Sequence, residues 1–197
     1  MKAYYDARAP EYDDWVYGRG LFADRNRPEW HEERSRLERT LTELPPARVL
    51  DIACGTGWLT QHLAGEIVGL DASESMLEIA RVRVPDGEFV VGDASSLPFA
   101  DGSFDRLLTG HFYGHLEEAD RVRFLEEAHR VAPELVVVDS RMHSEVEAVE
   151  WQKRELSDGS CWDVYKRYFT GPQLAGELGG GEILFEGRWF VAVRSPA

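Results

Sequence analysis

The chain has 197 residues, 43% of them hydrophobic and 29% charged, with 22 Lys and Arg against 36 Asp and Glu for a formal net charge of −14. That size and composition fit one globular domain with a real core, and argue against a disordered, collagen-like or disulfide-stapled chain. A surface this negative repels phosphate backbones and anionic headgroups, which disfavours nucleic acid or a membrane as the main partner. Cys54 and Cys161 are too few for a disulfide framework or a cysteine-rich zinc site. The first residues, Met1 to Asp6, lack the apolar run of a leader, and no segment reaches the roughly 18 uninterrupted apolar residues of a membrane span. The expectation is a reduced, cytoplasmic protein.

Residues 1–24 concentrate the aromatics Tyr4, Tyr5, Tyr12, Trp15, Tyr17 and Phe22 among Asp and Arg. Trp30, Arg34, Leu37, Leu41 and Leu44 recur at helical spacing, and Pro45-Pro46 ends that helix. Val49–Ile52 predicts a short buried strand running into Gly55-Thr56-Gly57, followed by a helix with Leu59 and Leu63 on one face. Ile67–Asp71 reads as a second strand, and Ser73 as the N-cap of a helix carrying Met76, Leu77, Ile79 and Ala80. Phe89–Val91 is a third strand before the turn Gly92-Asp93, and Phe104–Leu108 a fourth leading to Gly110. A helix over 117–131 sets Val122, Leu125 and Ala128 on one side, and Leu135–Asp139 is the most clearly buried strand. Beyond Asp139 the rhythm breaks into an aromatic stretch, 141–170, with Trp151, Trp162, Tyr165, Tyr168 and Phe169. A short helix near 172–178, a glycine turn at 179–181 and two strands, 182–186 and 188–194, close the chain. The short link through Gly187 makes those strands an antiparallel hairpin.

Near-continuous apolar strands alternating with helices indicate an α/β fold, a Rossmann-like doubly wound parallel sheet covered on both faces. In such sheets ligands lie across the carboxyl ends of the strands. Gly55 and Gly57 sit between a strand and a helix, where glycine admits a ligand close to the backbone. Asp51, at the end of the preceding strand, repels a pyrophosphate and attracts a ligand bearing an ammonium and a sulfonium. The dehydrogenase pattern G-x-G-x-x-G fails, since its third position is Thr60, and no P-loop Gly-Lys-Ser/Thr follows. Asp71 can accept two hydrogen bonds from ribose hydroxyls. Asp93 can accept from an adenine exocyclic amine while nearby backbone amides read the ring nitrogens, and Met76 can pack on the adenine face. Each acid alone also reads as a helix cap or a solvated turn; three of them at successive strand ends favour a ligand.

The run Val49-Leu50-Asp51-Ile52-Ala53-Cys54-Gly55-Thr56-Gly57 resembles motif I of the class I S-adenosylmethionine-dependent methyltransferases. Gly69 to Leu77 resembles the motif that follows it, and Gly92-Asp93-Ala94-Ser95-Ser96-Leu97-Pro98-Phe99 with Ser103-Phe104-Asp105 the next two. The variety is similar to quinone-biosynthesis and related C- and O-methyltransferases, and the resemblance covers about residues 45–140. Ala53 stands where many members have glycine. The resemblance implies a seven-stranded sheet with a reversed last strand and S-adenosylmethionine as cofactor. It assigns to the cofactor Asp51, Ala53, Cys54, Gly55, Gly57, Asp71, Ala72, Met76, Asp93, Ala94 and Gly110. It further implies one domain over 1–197: an N-terminal helical lid (1–44), the cofactor-binding core (45–140), a substrate-side insert (141–170) and a C-terminal helix and hairpin (171–197). The segment Tyr4–Asp13 resembles the lid in which a tyrosine or arginine approaches the cofactor's carboxylate, which makes Tyr5 and Tyr12 cofactor candidates; an aromatic helix packed on the sheet is the other reading.

The implied reaction is an in-line displacement on the sulfonium methyl by O, N or C of a small-molecule acceptor, with proximity as the main catalytic effect and S-adenosylhomocysteine as product. A base is needed only where the acceptor holds its proton. His111, Tyr113 and His115 follow the fourth strand as catalytic candidates, His115 also reading as a structural residue; Asp139, Arg141 and His143 follow the fifth. The aromatics of 141–170 suit either a flat or apolar acceptor or a local core. The six histidines are scattered; His111 and His115 are four apart, but Gly110 and Gly114 argue against a rigid helix presenting both to a metal. A protein that binds S-adenosylmethionine or its product without catalysis, as a regulator or assembly component, is the alternative. A nicotinamide oxidoreductase conflicts with Asp51 and Thr60. A nucleic-acid methyltransferase is weakened by the charge and by Gly110-His111-Phe112-Tyr113 where amino-methylating DNA enzymes carry Asn/Asp-Pro-Pro-aromatic. Oligomeric state stays open.

Overall fold

A computed structural model describes residues 2–196. Helix α1 (Lys2–Arg8) is stopped by Pro10, and a 3-10 turn (Ala9–Glu11) leads to α2 (Asp14–Tyr17) and, through a second turn, to α3 (Trp30–Thr42). The pattern then alternates: β1 (Ala47–Ile52), β2 (Gly65–Asp71), α4 (Glu74–Arg83), β3 (Glu88–Val91), β4 (Arg106–Gly110), α5 (Glu118–Val131) and β5 (Glu134–Ser140). A hairpin of β6 (Val149–Glu155) and β7 (Cys161–Arg167) precedes α6 (Gly171–Glu177), β8 (Glu182–Glu186) and β9 (Phe190–Pro196).

Seven strands form one sheet in the order β3-β2-β1-β4-β5-β9-β8, with β9 antiparallel to both β5 and β8 and the other pairings parallel. This is the mostly parallel sheet with an antiparallel C-terminal strand that the sequence implied. Period-two alternation sorts its side chains. Leu50, Ile52, Leu135 and Val137 pack on one face with Phe124, Ala128 and Val131 of α5 and Leu174 of α6. Val49, Val136 and Val138 pack on the other with Leu37 and Leu41 of α3.

Three expectations are corrected. No α-helix follows Gly57: residues 58–64 alone separate it from β2, too few for a multi-turn helix and a return, and they hold only a 3-10 turn, Thr60–His62. Val122 is exposed; the buried stripe of α5 is Phe124, Ala128 and Val131, at i, i+4 and i+7. The last strand runs two residues beyond its expected end, to Pro196. Ser73 does cap α4, its hydroxyl accepting from the Met76 N–H at 3.3 Å. No helix among the described residues is long and apolar enough to cross a membrane.

Candidate functional site

Parallel pairing brings the carboxyl ends of five strands to one edge: Asp51 lies level with Gly69 and Leu108, Asp71 with Val91, and Gly110 with Val138. Between β1 and the 3-10 turn the backbone passes through the left-handed region at Ala53 (φ 55°), Gly55 (φ 55°) and Gly57 (φ 75°). Two of these positions have glycine, for which that region carries no penalty. Ala53 keeps a Cβ there at a cost of about 1 kcal/mol. Asp71 ties the loop down, its Oδ2 accepting from the Gly55 N–H at 2.9 Å and its Oδ1 from the Ser73 N–H at 2.9 Å. Asp51 is buried and accepts from Thr60 Oγ1 at 2.6 Å. Burial raises its pKa to about 7, against the Thr60 hydrogen bond and helped by the negative charge of Asp71.

Asp93, exposed just past β3, is braced by the Ser95 N–H and hydroxyl, both 2.8 Å from Oδ1; among the described residues its Oδ2 has no partner. Ala72 is exposed and Ala94 half-buried beside these acids. Cys54 is half-buried, and burial raises its thiol pKa well above the usual range, so the nucleophilic thiolate is disfavoured. Met76 corrects the reading of an adenine-facing side chain: it is 1% exposed and offers no surface to a ligand.

The N-terminal segment crosses this edge. Tyr12 lies over the loop, its ring 3.7 Å from where a Cβ on Gly55 would stand. Tyr5 packs on Tyr12, with ring centroids 6.4 Å apart, and burial pushes its phenol up to about 12. Asp13 latches the segment in place: its Oδ1 accepts from Thr56 Oγ1 at 2.6 Å and its Oδ2 from Arg83 of α4, whose Nη1 also donates to the Thr56 carbonyl at 2.9 Å. Trp15 then sets an edge against His111, with centroids 4.8 Å apart, while Trp58 stacks on the same imidazole.

Two cavities meet at His111. A small one, about 20 Å³, is walled by Tyr12, Asp51, Ala53, Gly110 and His111. A cleft of about 1010 Å³ opens beyond it, between the N-terminal segment, the carboxyl end of β5 and the β6–β7 hairpin, and His111 and His115 both line it. His111 takes a left-handed backbone (φ 54°), an uncommon conformation for a residue with a side chain, and its Nε2 is buried without a hydrogen-bond partner among the described residues. Burial pushes its pKa down to about 3, against Asp139 and with Lys166 and Arg154, so the imidazole is neutral at pH 7. The His115 Nδ1 lies 2.6 Å from the Tyr165 carbonyl, an acceptor, so Nδ1 carries the proton and Nε2 the lone pair. Burial, then Lys166 and Arg154, hold this imidazole neutral too.

Tyr113 is a further correction. It sits in the core against Phe124 and Phe169, with its hydroxyl 3.2 Å from Glu177, away from both cavities. Asp139 likewise points into the protein, accepting from Lys166 Nζ at 2.6 Å and the Gly114 N–H at 2.7 Å. Arg141 and His143 do line the cleft, as do Trp151 and Tyr168 of the hairpin. Asp13, Arg83 and Trp58 were not legible as site residues. Asp13 and Arg83 meet across 70 positions of sequence, and only tertiary structure brings them together.

The donor set fits a cofactor with a cationic amino-acid end. Asp51 is a buried acid with no cation among its neighbours, at a cavity that His111 also lines. The residue types match, but the cavity holds about one water, so an amino-acid-sized group enters only if its lining shifts.

Residues 49–134 match the family described as "Methyltransferase domain". Demethylmenaquinone methyltransferase of Thermotoga maritima is 46% identical over 103 residues, which make up 50% of this chain and 44% of that protein. The match thus spans less than half the length of the curated relative. Among solved structures, the DhpI-SAH complex superposes with a TM-score of 0.73 at 25% identity over 98% of this chain and 94% of that one. The DhpI-SAM-HEP complex gives 0.72 at 25% identity over 98% and 95%.

Proposed function

We propose that the chain, whose residues 49–134 match a methyltransferase domain, is a class I S-adenosylmethionine-dependent methyltransferase that transfers the methyl group of S-adenosylmethionine to a small-molecule acceptor. The observation that carries this reading is the set of three carboxylates, Asp51, Asp71 and Asp93, at the ends of three adjacent parallel strands around a left-handed glycine loop. Solved neighbours in complex with S-adenosylmethionine and S-adenosylhomocysteine support the cofactor, and a methyltransferase relative named for a quinone supports a small-molecule acceptor. Two free cysteines are compatible with a reducing cytoplasm.

Bound here, the cofactor supplies an electrophilic methyl on sulfur, and the acceptor displaces the thioether with the carbon–sulfur electron pair. The protein's tasks are alignment and exclusion of water. In this proposal Asp51 pairs with the cofactor's ammonium, Asp71 accepts from the ribose hydroxyls and Asp93 from the adenine amine. Gly110 bounds the methionine end. Tyr5, Tyr12 and Trp15 close over it, held by the Asp13–Arg83 contact. His111, shared by the two cavities, borders the point where donor and acceptor meet. Its imidazole is neutral and offers one lone pair as a hydrogen-bond acceptor, and the His115 Nε2 does so from further into the cleft. The large cleft beside the cofactor loop favours catalysis over binding alone.

Calorimetric titration tests the reading. S-adenosylmethionine and S-adenosylhomocysteine are expected to bind at micromolar concentration and NAD not at all. Binding of NAD, or of neither sulfur compound to the folded protein, overturns it.

The affinity is also expected to depend on pH in one direction. Below pH 7 Asp51 carries a proton in the unliganded protein, and pairing with an ammonium requires its release. Affinity for S-adenosylhomocysteine therefore rises by up to about tenfold per pH unit from pH 5 toward 7, then levels off. In Asp51→Asn the slope disappears. Titrations at pH 5.5, 6.5 and 7.5 read it directly.

A further inference from the structure

The large cleft is positively charged inside a protein of net charge −14. Two of its cations are neutralised by neighbours: Lys166 by Asp139 and Arg141 by Glu186, both at 2.6 Å. Three of its four acids are engaged, Glu155 having no side-chain hydrogen bond or ion pair among the described residues. Glu11 accepts from the Ser157 N–H, Glu150 from Gln152 and Tyr168, and Glu145 from Arg188. Arg8, Arg25 and Arg154 have no carboxylate within 4 Å among the described residues, although all three line the cleft.

Arg8 is 7% exposed, and its one hydrogen bond runs from Nη1 to the Tyr4 hydroxyl at 2.7 Å. Arg154 Nη1 reaches the same hydroxyl at 3.5 Å, so these two terminal nitrogens stand no more than about 6 Å apart. Arg154 is oriented in advance: its Nε and Nη2 donate to the Gln152 Oε1 at 3.1 and 2.7 Å, while the Gln152 amide nitrogen is fixed by Glu150 and Tyr168. Arg25, exposed on the loop before α3, completes the group; partial desolvation lowers its pKa, and so do the charges of Arg154 and Arg8. For the buried Arg8, a guanidinium facing like charge with no acid beside it is unfavourable unless an anion completes the site. The planar fork of arginine suits the two oxygens of a carboxylate or phosphate.

We propose that Arg8, Arg25 and Arg154 form an oxyanion-binding subsite for the acceptor, so that the molecule methylated carries a carboxylate or phosphate group. This rests on the methyltransferase reading and narrows its acceptor class. The aromatic walls, Trp151, Tyr168 and Trp189 among them, hold the rest of the molecule, so the flat or apolar body expected from the sequence acquires a charged end. Anchoring that end here leaves the reactive atom to reach toward His111.

The test titrates inorganic phosphate and benzoate into the protein at constant ionic strength, with and without saturating S-adenosylhomocysteine. Wild type is expected to bind at least one of the two. Arg154→Gln is expected to weaken that binding about tenfold to a hundredfold, with the S-adenosylhomocysteine affinity changed less than twofold. Arg25→Gln, on an exposed loop where folding is not at stake, weakens anion binding in the same direction. Arg36→Gln, a charge removed outside the cleft, leaves it unchanged. Tighter phosphate than benzoate assigns a phosphate-bearing acceptor, and the reverse a carboxylate. The proposal is overturned if neither anion binds wild type at millimolar concentration, or if the Arg36 variant loses as much as the Arg154 variant. It is also overturned if Arg154→Gln weakens S-adenosylhomocysteine as much as the anion, which would give the cluster to the cofactor's own carboxylate. Failure of S-adenosylhomocysteine to bind wild type strikes the broader methyltransferase reading instead, and the titrations without it still decide the subsite.

Discussion

Asp71→Ala is expected to lower the affinity for S-adenosylhomocysteine by about a hundredfold or more. In the proposed site the carboxylate accepts from two ribose hydroxyls, and hydrogen bonds to a charged acceptor contribute about 1.5–3 kcal/mol each. Two of them correspond to roughly two to four orders of magnitude in Kd. The effect is compounded through the loop. Both Asp71 oxygens already hold backbone amides, Gly55 N–H on one and Ser73 N–H on the other, each at 2.9 Å. Removing the carboxylate frees the glycine loop and the entry to α4 together. Asp71→Asn keeps one acceptor oxygen but turns an amide NH2 toward the second N–H, and is expected to fall between wild type and alanine. Calorimetry measures the affinity, and circular dichroism shows whether the variant is folded. A folded Asp71→Ala that binds within threefold of wild type would remove Asp71 from the ligand site.

The second large effect concerns stability. Lys166→Met is expected to destabilise the protein by about 3–5 kcal/mol, because it leaves Asp139 buried without its ammonium. At about 2–4 °C per kcal/mol for a chain of this size, Tm should fall by roughly 6–20 °C. Asp139 is fully buried and Lys166 is 4% exposed. Burial opposes ionisation of the carboxyl, but Lys166, with His111 and His115, holds its pKa below the usual value. The same carboxylate accepts from the Gly114 N–H at 2.7 Å, in the turn that follows His111 and carries His115. Asp139 thus joins the end of β5, the histidine turn and the hairpin strand β7. A double variant, Asp139→Asn with Lys166→Met, removes both charges and should recover much of the lost stability. Thermal unfolding of the two variants measures the difference. Equal Tm losses in the single and double variants would show that packing, not charge pairing, makes Lys166 necessary.

The glycine loop and the strand-end acids were legible in the sequence because their spacing is local. A strand-end acid, a glycine loop a few residues later and another acid one βα unit on are spaced by the geometry of a parallel sheet, so linear order becomes spatial order at its carboxyl edge. Asp51, Gly55, Gly57, Asp71 and Asp93 meet there, and Ser73 caps its helix as its residue type and position implied. Misreadings arose where periodicity stood in for contact. Leu59 and Leu63 have helical spacing, yet the short span to β2 leaves room for one 3-10 turn. Met76 and Tyr113 have suitable residue types in suitable segments, but their side chains turn into the core, a choice made by packing against other elements.

The charge of the large cleft was decided by tertiary structure. Arg8, Arg25 and Arg154 come from α1, a loop and β6, and Asp13 meets Arg83 across 70 positions. Which arginines keep a carboxylate partner and which do not depends on how the 141–170 segment folds back, as a hairpin over the end of β5, against the N-terminal helices. The sequence by itself determined the sheet, its order of elements and the acids along its edge, since these follow from short-range pattern and the right-handed parallel crossover. The enclosed charge of the cleft is a difference between paired and unpaired groups distant in the chain. Net composition, −14 and acidic, pointed the other way.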